Sequence, residues 1–139
     1  MGKKTLKDIS NAMRNIDIAM LSTHSTNGQI AGRPMSNNRD VDYDGQSYFF
    51  TNEDTRTVDD IRRNAQVGLA YKGDEDFHIA VEGEAALIKD REAFREHWTP
   101  DLDRWFKNGP DTDGVILIKV EATRIHYWDG LEEGEVKPS

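Results

Sequence analysis

The sequence predicts a mainly β fold, a six-stranded antiparallel barrel with short peripheral helices, and three observations carry this reading. Six apolar, β-prone runs are separated by turn residues over most of the 139 residues. Asn27-Gly28 and Asp44-Gly45 lie between successive runs, where such dipeptides favour hairpins and therefore antiparallel pairing. The last two runs are long, and Gly83 in the first of them marks a bulge or bend. Long bent antiparallel strands close into a barrel more readily than they lie flat.

Along the chain, Leu6, Ile9, Ala12, Met13 and Ile16 recur at helical spacing and predict an amphipathic helix over roughly 5–15. DIAMLSTHS (17–25) reads as a buried strand, TNGQ as a turn, and IAGRPMSNN (30–38) as a second strand. Pro34 has no amide to donate, which confines it to an edge, a bulge or a break in the ladder. YDGQ (43–46) reads as another hairpin turn leading into the strand SYFFT. TVDDIRRNA is a short helix with acids in its first turn, followed by the strand QVGLAYK and the turn GDEDF. HIAVEGEAALIKD is the fifth strand, REAFREHW a helix, and PDLDRWFKNGPDTDG an irregular excursion. VILIKVEATRIHYWD is the last strand, and GLEEGEVKPS carries no packing signal. The reading is one domain over 1–139, with 1–4 and about 131–139 as flexible tails.

A formal net charge of -8 argues against a general nucleic-acid binder, which needs clustered basic charge to meet phosphates. It leaves room for a small anion held by a few local donors. The absence of cysteine excludes disulfides, thiolate metal sites and cysteine nucleophiles. No apolar run approaches the roughly 18 residues of a membrane span and no signal-peptide core is evident, so the expected location is the cytoplasm. The four histidines are widely spaced, without metal-binding patterns, and no GxSxG elbow occurs.

The stretch FFTNEDTRT, Phe49 to Thr57, is the most informative for function. Thr55 suits the N-cap of the helix that follows, where its hydroxyl would satisfy a free amide. The same free amides, with Arg56 as a fixed cation, would also suit a phosphate, provided Asp59 and Asp60 point away. In GRPMS, alternation places Arg33 and Met35 on one strand face and Pro34 and Ser36 on the other. That segment is either an ordinary edge strand or the wall of a site for a flat heterocycle. Trp98, Trp105 and Trp128 fall in the C-terminal third, as rim packing or as stacking platforms.

Taken in order, GRPMS, YFFTNEDTRT, NAQVGLAY, IAVEGEAALIKD, HWTPDLDRWFKNGPD and VEATRIHYWDG resemble the pyridoxamine 5'-phosphate oxidase-like flavin-binding split barrels, specifically their short, general-stress type. The resemblance spans roughly residues 17–130. It implies a six-stranded split barrel, homodimeric, with FMN in the groove between subunits. It also implies that Arg33, Pro34, Met35 and Ser36 line the flavin, with Phe50 and Thr51 against its ring or ribityl chain. Thr55, Arg56 and Thr57 would hold the phosphate, His78 stands where the oxidases carry a flavin-contacting Gln, and Trp128 reaches the cofactor from the partner chain. Trp105 completes the set as an aromatic platform.

Two departures bear on function. Thr57 stands where the oxidases carry a Lys, and losing that contact costs about 1.5–3 kcal/mol, roughly tenfold to over a hundredfold in affinity. LEEGEVKPS places acids where the oxidases carry a basic run that binds the vitamer phosphate, which disfavours pyridoxamine-phosphate oxidation. The expected function is an FMN-dependent oxidoreductase of unknown substrate, with His78 as the nearest candidate acid or base. The alternatives are a flavin storage or sensing module without turnover, or a barrel that binds a deazaflavin or haem.

Overall fold

A computed structural model describes residues 4–37, 39 and 42–138. In it the chain folds as one antiparallel sheet, curled into a split barrel, with three α-helices. The strands are β1 (Ile18–His24), β2 (Ile30–Ser36), β3 (Gln46–Asn52), β4 (Gln66–Lys72), β5 (Phe77–Ile88), β6 (Val115–Asp129) and β7 (Glu132–Val136). The helices are α1 (Leu6–Met13), α2 (Arg56–Arg63) and α3 (Arg91–His97). The strand order is β2-β1-β4-β5-β6-β3, with β7 pairing β6 beside β3's end of the sheet.

Each helix starts on the signal its sequence offers. The Thr5 hydroxyl accepts from the Asp8 amide while the Asp8 carboxylate accepts from the Thr5 amide, and this capping box opens α1. Ile9 and Met13 on one face of α1 are buried in the core. The Asn37 side-chain amide donates to the Met13 and Ile16 carbonyls at 2.9 Å, closing the helix end. Thr55 caps α2 and Asp90 caps α3.

Strand alternation sets the core. Ala19 and Leu21 of β1, Met35 of β2, Phe49 of β3, Leu69 and Tyr71 of β4, and Ile79 and Val81 of β5 all point inward. Gly83 sits at a register shift in β5, where a Cβ would lie 2.5 Å from the Glu121 carbonyl oxygen, so only glycine lets β6 approach this closely. A second apolar cluster lies on the opposite face of β3 and β6. There α3 and the 3₁₀ turns over 100–111 cover Phe50, Leu117 and Val115 with Phe94, Trp98 and Leu102.

Two expectations are corrected. YDGQ is not a hairpin turn between the second and third strands, because β2 and β3 stand at opposite ends of the strand order. Gly45 does turn there, with φ 98°, but it leads into a strand paired with β6. The tail expected to be loose from about 131 instead forms β7, with Val136 only 7% exposed and Gly134 against the Tyr127 ring. At the other end, residues 1–3 of the expected tail lie outside the described residues, while the Lys4 ammonium pairs with Asp129 at 3.1 Å.

Candidate functional site

Three residues separate the end of β3 from the start of α2, whose first residue reaches the end of β1. The Thr55 hydroxyl donates to the Asn52 carbonyl at 2.9 Å and accepts from the Val58 amide, which fixes the entry angle. The amides of Arg56 and Thr57 open the helix and have no carbonyl within it to pair with. Arg56 lies over Ser25, its Nε donating to the buried Ser25 Oγ at 2.9 Å. That bond ties the start of α2 to the end of β1.

Arg33 joins this cluster from β2. Its guanidinium donates to Thr23 Oγ1 at 2.8 Å and lies 3.6 Å from the Asp60 carboxylate. Burial pushes the Arg33 guanidinium below its usual value, Asp60 raises it, and the nearby positive charge of Arg56 lowers it again. Two guanidiniums therefore stand close enough at the head of α2 to repel one another, where the sequence had offered Arg56 as the one fixed cation. The two first-turn acids of α2 point in different directions. Asp59 is exposed beside Arg62, and Asp60 is fully buried, accepting from Thr23 and Arg63 at 2.8 and 2.6 Å. Thr57 is 7% exposed, so its side chain packs into the protein.

The remaining predicted residues divide by face. Met35 points into the barrel with Arg33, whereas Pro34 and Ser36 are exposed on the outer face. His78 is also on the outer face, in register with Trp128 on β6, and is not part of the α2 cluster. Trp128 is 39% exposed and lies 4.5 Å from the His126 ring. Thr51 is half-buried on β3, and Phe50 beside it packs edge-on against Trp98 at 4.8 Å. Ser36, Phe50 and Trp105 line one cavity of about 440 Å³, so the edges of β2 and β3, remote in strand order, face each other across the split.

Sequence reasoning missed Ser25 and His97, and read Asp60 only as a first-turn acid that must point away from an anion. Ser25 and Asp60 are held by partners far away in sequence, and no local spacing could have joined them. His97 lines the cavity and stacks on Tyr48 at 3.7 Å between ring centroids; its place at the end of α3 facing β3 was the one available signal. Among the described residues no cluster of three His, Asp or Glu side chains gathers as a metal site, and no helix is long and apolar enough to cross a membrane.

The curled antiparallel split barrel defines a class of protein, and comparison with known proteins agrees on fold and family. The chain belongs to the family described as pyridoxamine 5'-phosphate oxidase like, whose pattern matches residues 4–137. It is 26% identical over 110 residues to general stress protein 26 of Bacillus subtilis, covering 76% of this chain and 78% of that protein. It is 25% identical over 132 residues to protein bli-3 of Neurospora crassa, covering 88% of this chain but spanning only 63% of bli-3. The crystal structure of a Clostridium acetobutylicum protein related to general stress protein 26 shares the fold, with a TM-score of 0.84 and 20% identity over 95% of this chain and 93% of that one.

Proposed function

We propose that this chain is a cytoplasmic FMN-binding redox protein of the general-stress type, working as a homodimer. The observation that carries the reading is the head of α2. Open backbone amides, the Thr55 cap and the exposed Arg56 guanidinium converge there, with Arg33 close behind. A phosphate there would meet oriented donors and the exposed Arg56 guanidinium, with Arg33 behind it ion-paired to Asp60, in a chain whose formal net charge is -8. Thr55, Arg56 and the backbone amide of Thr57, whose side chain is buried, would hold the phosphate, and Ser36, Phe50 and Thr51 would line the ring system. Once bound, the flavin supplies the electron transfer, and the protein supplies anchoring, orientation and the hydrogen bonds that tune it.

The outer face of the sheet supports a second copy as the partner. Met20 opposes Pro34 on β2 and Ala70 on β4, and Ala70 opposes Ala80 on β5, so these side chains share one surface. Ile18 and Met20 on it are 48% and 42% exposed. Trp128 stands on the same surface, which suits it to reach a partner's groove. Glu132, Glu133 and Glu135 on β7 offer no clamp for a vitamer phosphate, so pyridoxamine phosphate is not the substrate in this reading.

Purified protein should take up FMN, quenching flavin fluorescence, and Arg56→Ala should weaken uptake at least about tenfold, as loss of a charge-assisted phosphate contact does. Arg91→Ala, on α3, serves as the surface control. Equal affinity for riboflavin and FMN would show that no phosphate site exists. Reduction of the bound flavin by NADH or NADPH above the rate for free FMN would mark turnover rather than storage.

A further inference from the structure

The cavity of about 440 Å³ extends past Ser36 and Phe50, assigned to the flavin ring, to a far wall that includes Trp105. That wall is built from α3 and the 3₁₀ turn after it, which contribute His97, Leu102, Arg104 and Trp105. Its volume falls within the roughly 300–1,000 Å³ of small-molecule sites.

The chemistry of the lining is specific. Tyr48 and His97 lie face to face, with ring centroids 3.7 Å apart and planes 15° apart, and both line the cavity. Trp105 at the rim is 66% exposed, with the Arg104 guanidinium 5.4 Å from its ring centre. An indole this exposed, with a cation over one part of it, still has ring surface to offer another π system. The charges around the cavity cancel. Arg39 and Asp17 form an ion pair at 2.9 Å, and Arg104 and Asp101 contribute one charge of each sign. The lining therefore carries no net charge of either sign to favour an ion. Ser36, Asn37 and the His97 imidazole remain as hydrogen-bonding groups.

We propose that this cavity binds a flat, uncharged aromatic molecule with hydrogen-bonding oxygens, of the quinone class, stacked against Trp105 and hydrogen-bonded from the His97 side. This deepens the flavin reading, since such a molecule beside the flavin groove is the reaction partner. The binding itself is a property of the cavity and is testable without the cofactor.

The probes are 1,4-naphthoquinone, 1-naphthoate and 1-naphthylmethylammonium, which share a ring system but differ in charge. The chain has no cysteine, so the quinone meets no thiol with which to form an adduct. Calorimetric titration should show saturable binding of the quinone in preference to both ions, and it should shift the Trp105 indole N–H resonance. Trp105→Ala should weaken binding by about 2- to 12-fold, the range for loss of one aromatic pair. His97→Ala should also weaken it, and circular dichroism checks that each variant is folded.

Tighter binding of either ion overturns the proposal, as does quinone affinity unchanged in both variants. Prior loading with FMN that abolishes quinone binding also overturns it, because the cavity would then be the cofactor's own seat. FMN uptake is followed separately by flavin fluorescence. Quinone binding without FMN uptake defeats only the flavin reading, and FMN uptake without quinone binding defeats only this one.

Discussion

Asp60 shows how differently a residue reads in sequence and in space. In the sequence it is one of two acids in the first turn of a helix, placed to favour the helix dipole. In the structure it is fully buried and joins β1, β2 and α2 through Thr23, Arg33 and Arg63. Thr55, one turn earlier, was legible as a cap because its partner lies within the same turn. Asp60 was not, because Thr23 is 37 positions away and only the barrel brings it near. The buried tyrosines make the same point and yield a pH dependence. Tyr71 lies 2% exposed beneath the sheet, its hydroxyl 3.3 Å from Ser47 Oγ, and burial pushes its phenol up to about 12. In the unfolded chain that phenol ionises near pH 10. The folded state thus keeps a proton that the unfolded state has lost, and the stability this represents is complete below about pH 10 and disappears as pH rises towards 12. Urea unfolding across pH 8 to 12 should show a falling alkaline limb that Tyr71→Phe makes shallower. An unchanged limb in the variant would remove Tyr71 as its cause.

At the scale of elements, legibility followed periodicity. QVGLAYK and VILIKVEATRIHYWD coincide with β4 and β6 because their apolar residues alternate over at least seven positions. The 83–84 region of β5 was legible because a lone glycine in a strand marks a close approach. The head of α2 was legible for the same local reason as its cap. What failed were two non-local facts. A turn signal such as YDGQ reveals that the chain bends but not which strand it will pair with next, so β3's place against β6 was invisible. β7 was missed because EEGEV carries three acids and a glycine, and its stability comes from a ladder to β6 plus one buried side chain, Val136. If that side chain is the anchor, Val136→Asp should destabilise the fold by at least about 2 kcal/mol, through lost apolar burial and a carboxylate forced into the core. Chemical denaturation measures this directly. Glu133→Ala, exposed on the same strand, should cost far less, and equal effects from the two would mean that β7 contributes no core.

At the scale of the whole molecule, the helices and turns are distributed unevenly over the barrel. The α3 excursion covers the outer face of β3 and the first half of β6, whereas the outer face of β2, β1, β4 and β5 has no element on it among those described. That bare face carries Ile18, Met20, Pro34, Ala70 and Ala80, with glycines at 32 and 68 that keep it flat. Exposed apolar area of this kind in a chain with 32% charged residues marks a surface meant to be covered. A two-fold dimer buries the same patch on both copies, so a single substitution acts twice. Met20→Glu places two carboxylates in the middle of such an interface, where each loses its hydration without gaining a partner. The dimer dissociation constant should rise by at least about a hundredfold. Sedimentation equilibrium of the wild type and the variant reads this directly, and the variant's thermal unfolding should remain cooperative if the monomer still holds its own core. On the proposed reading, in which the partner's Trp128 reaches the cofactor, FMN uptake should fall together with dimerisation. A wild-type protein that sediments as a monomer, or a Met20→Glu variant that dimerises as tightly as wild type, would place the partner surface elsewhere on the barrel.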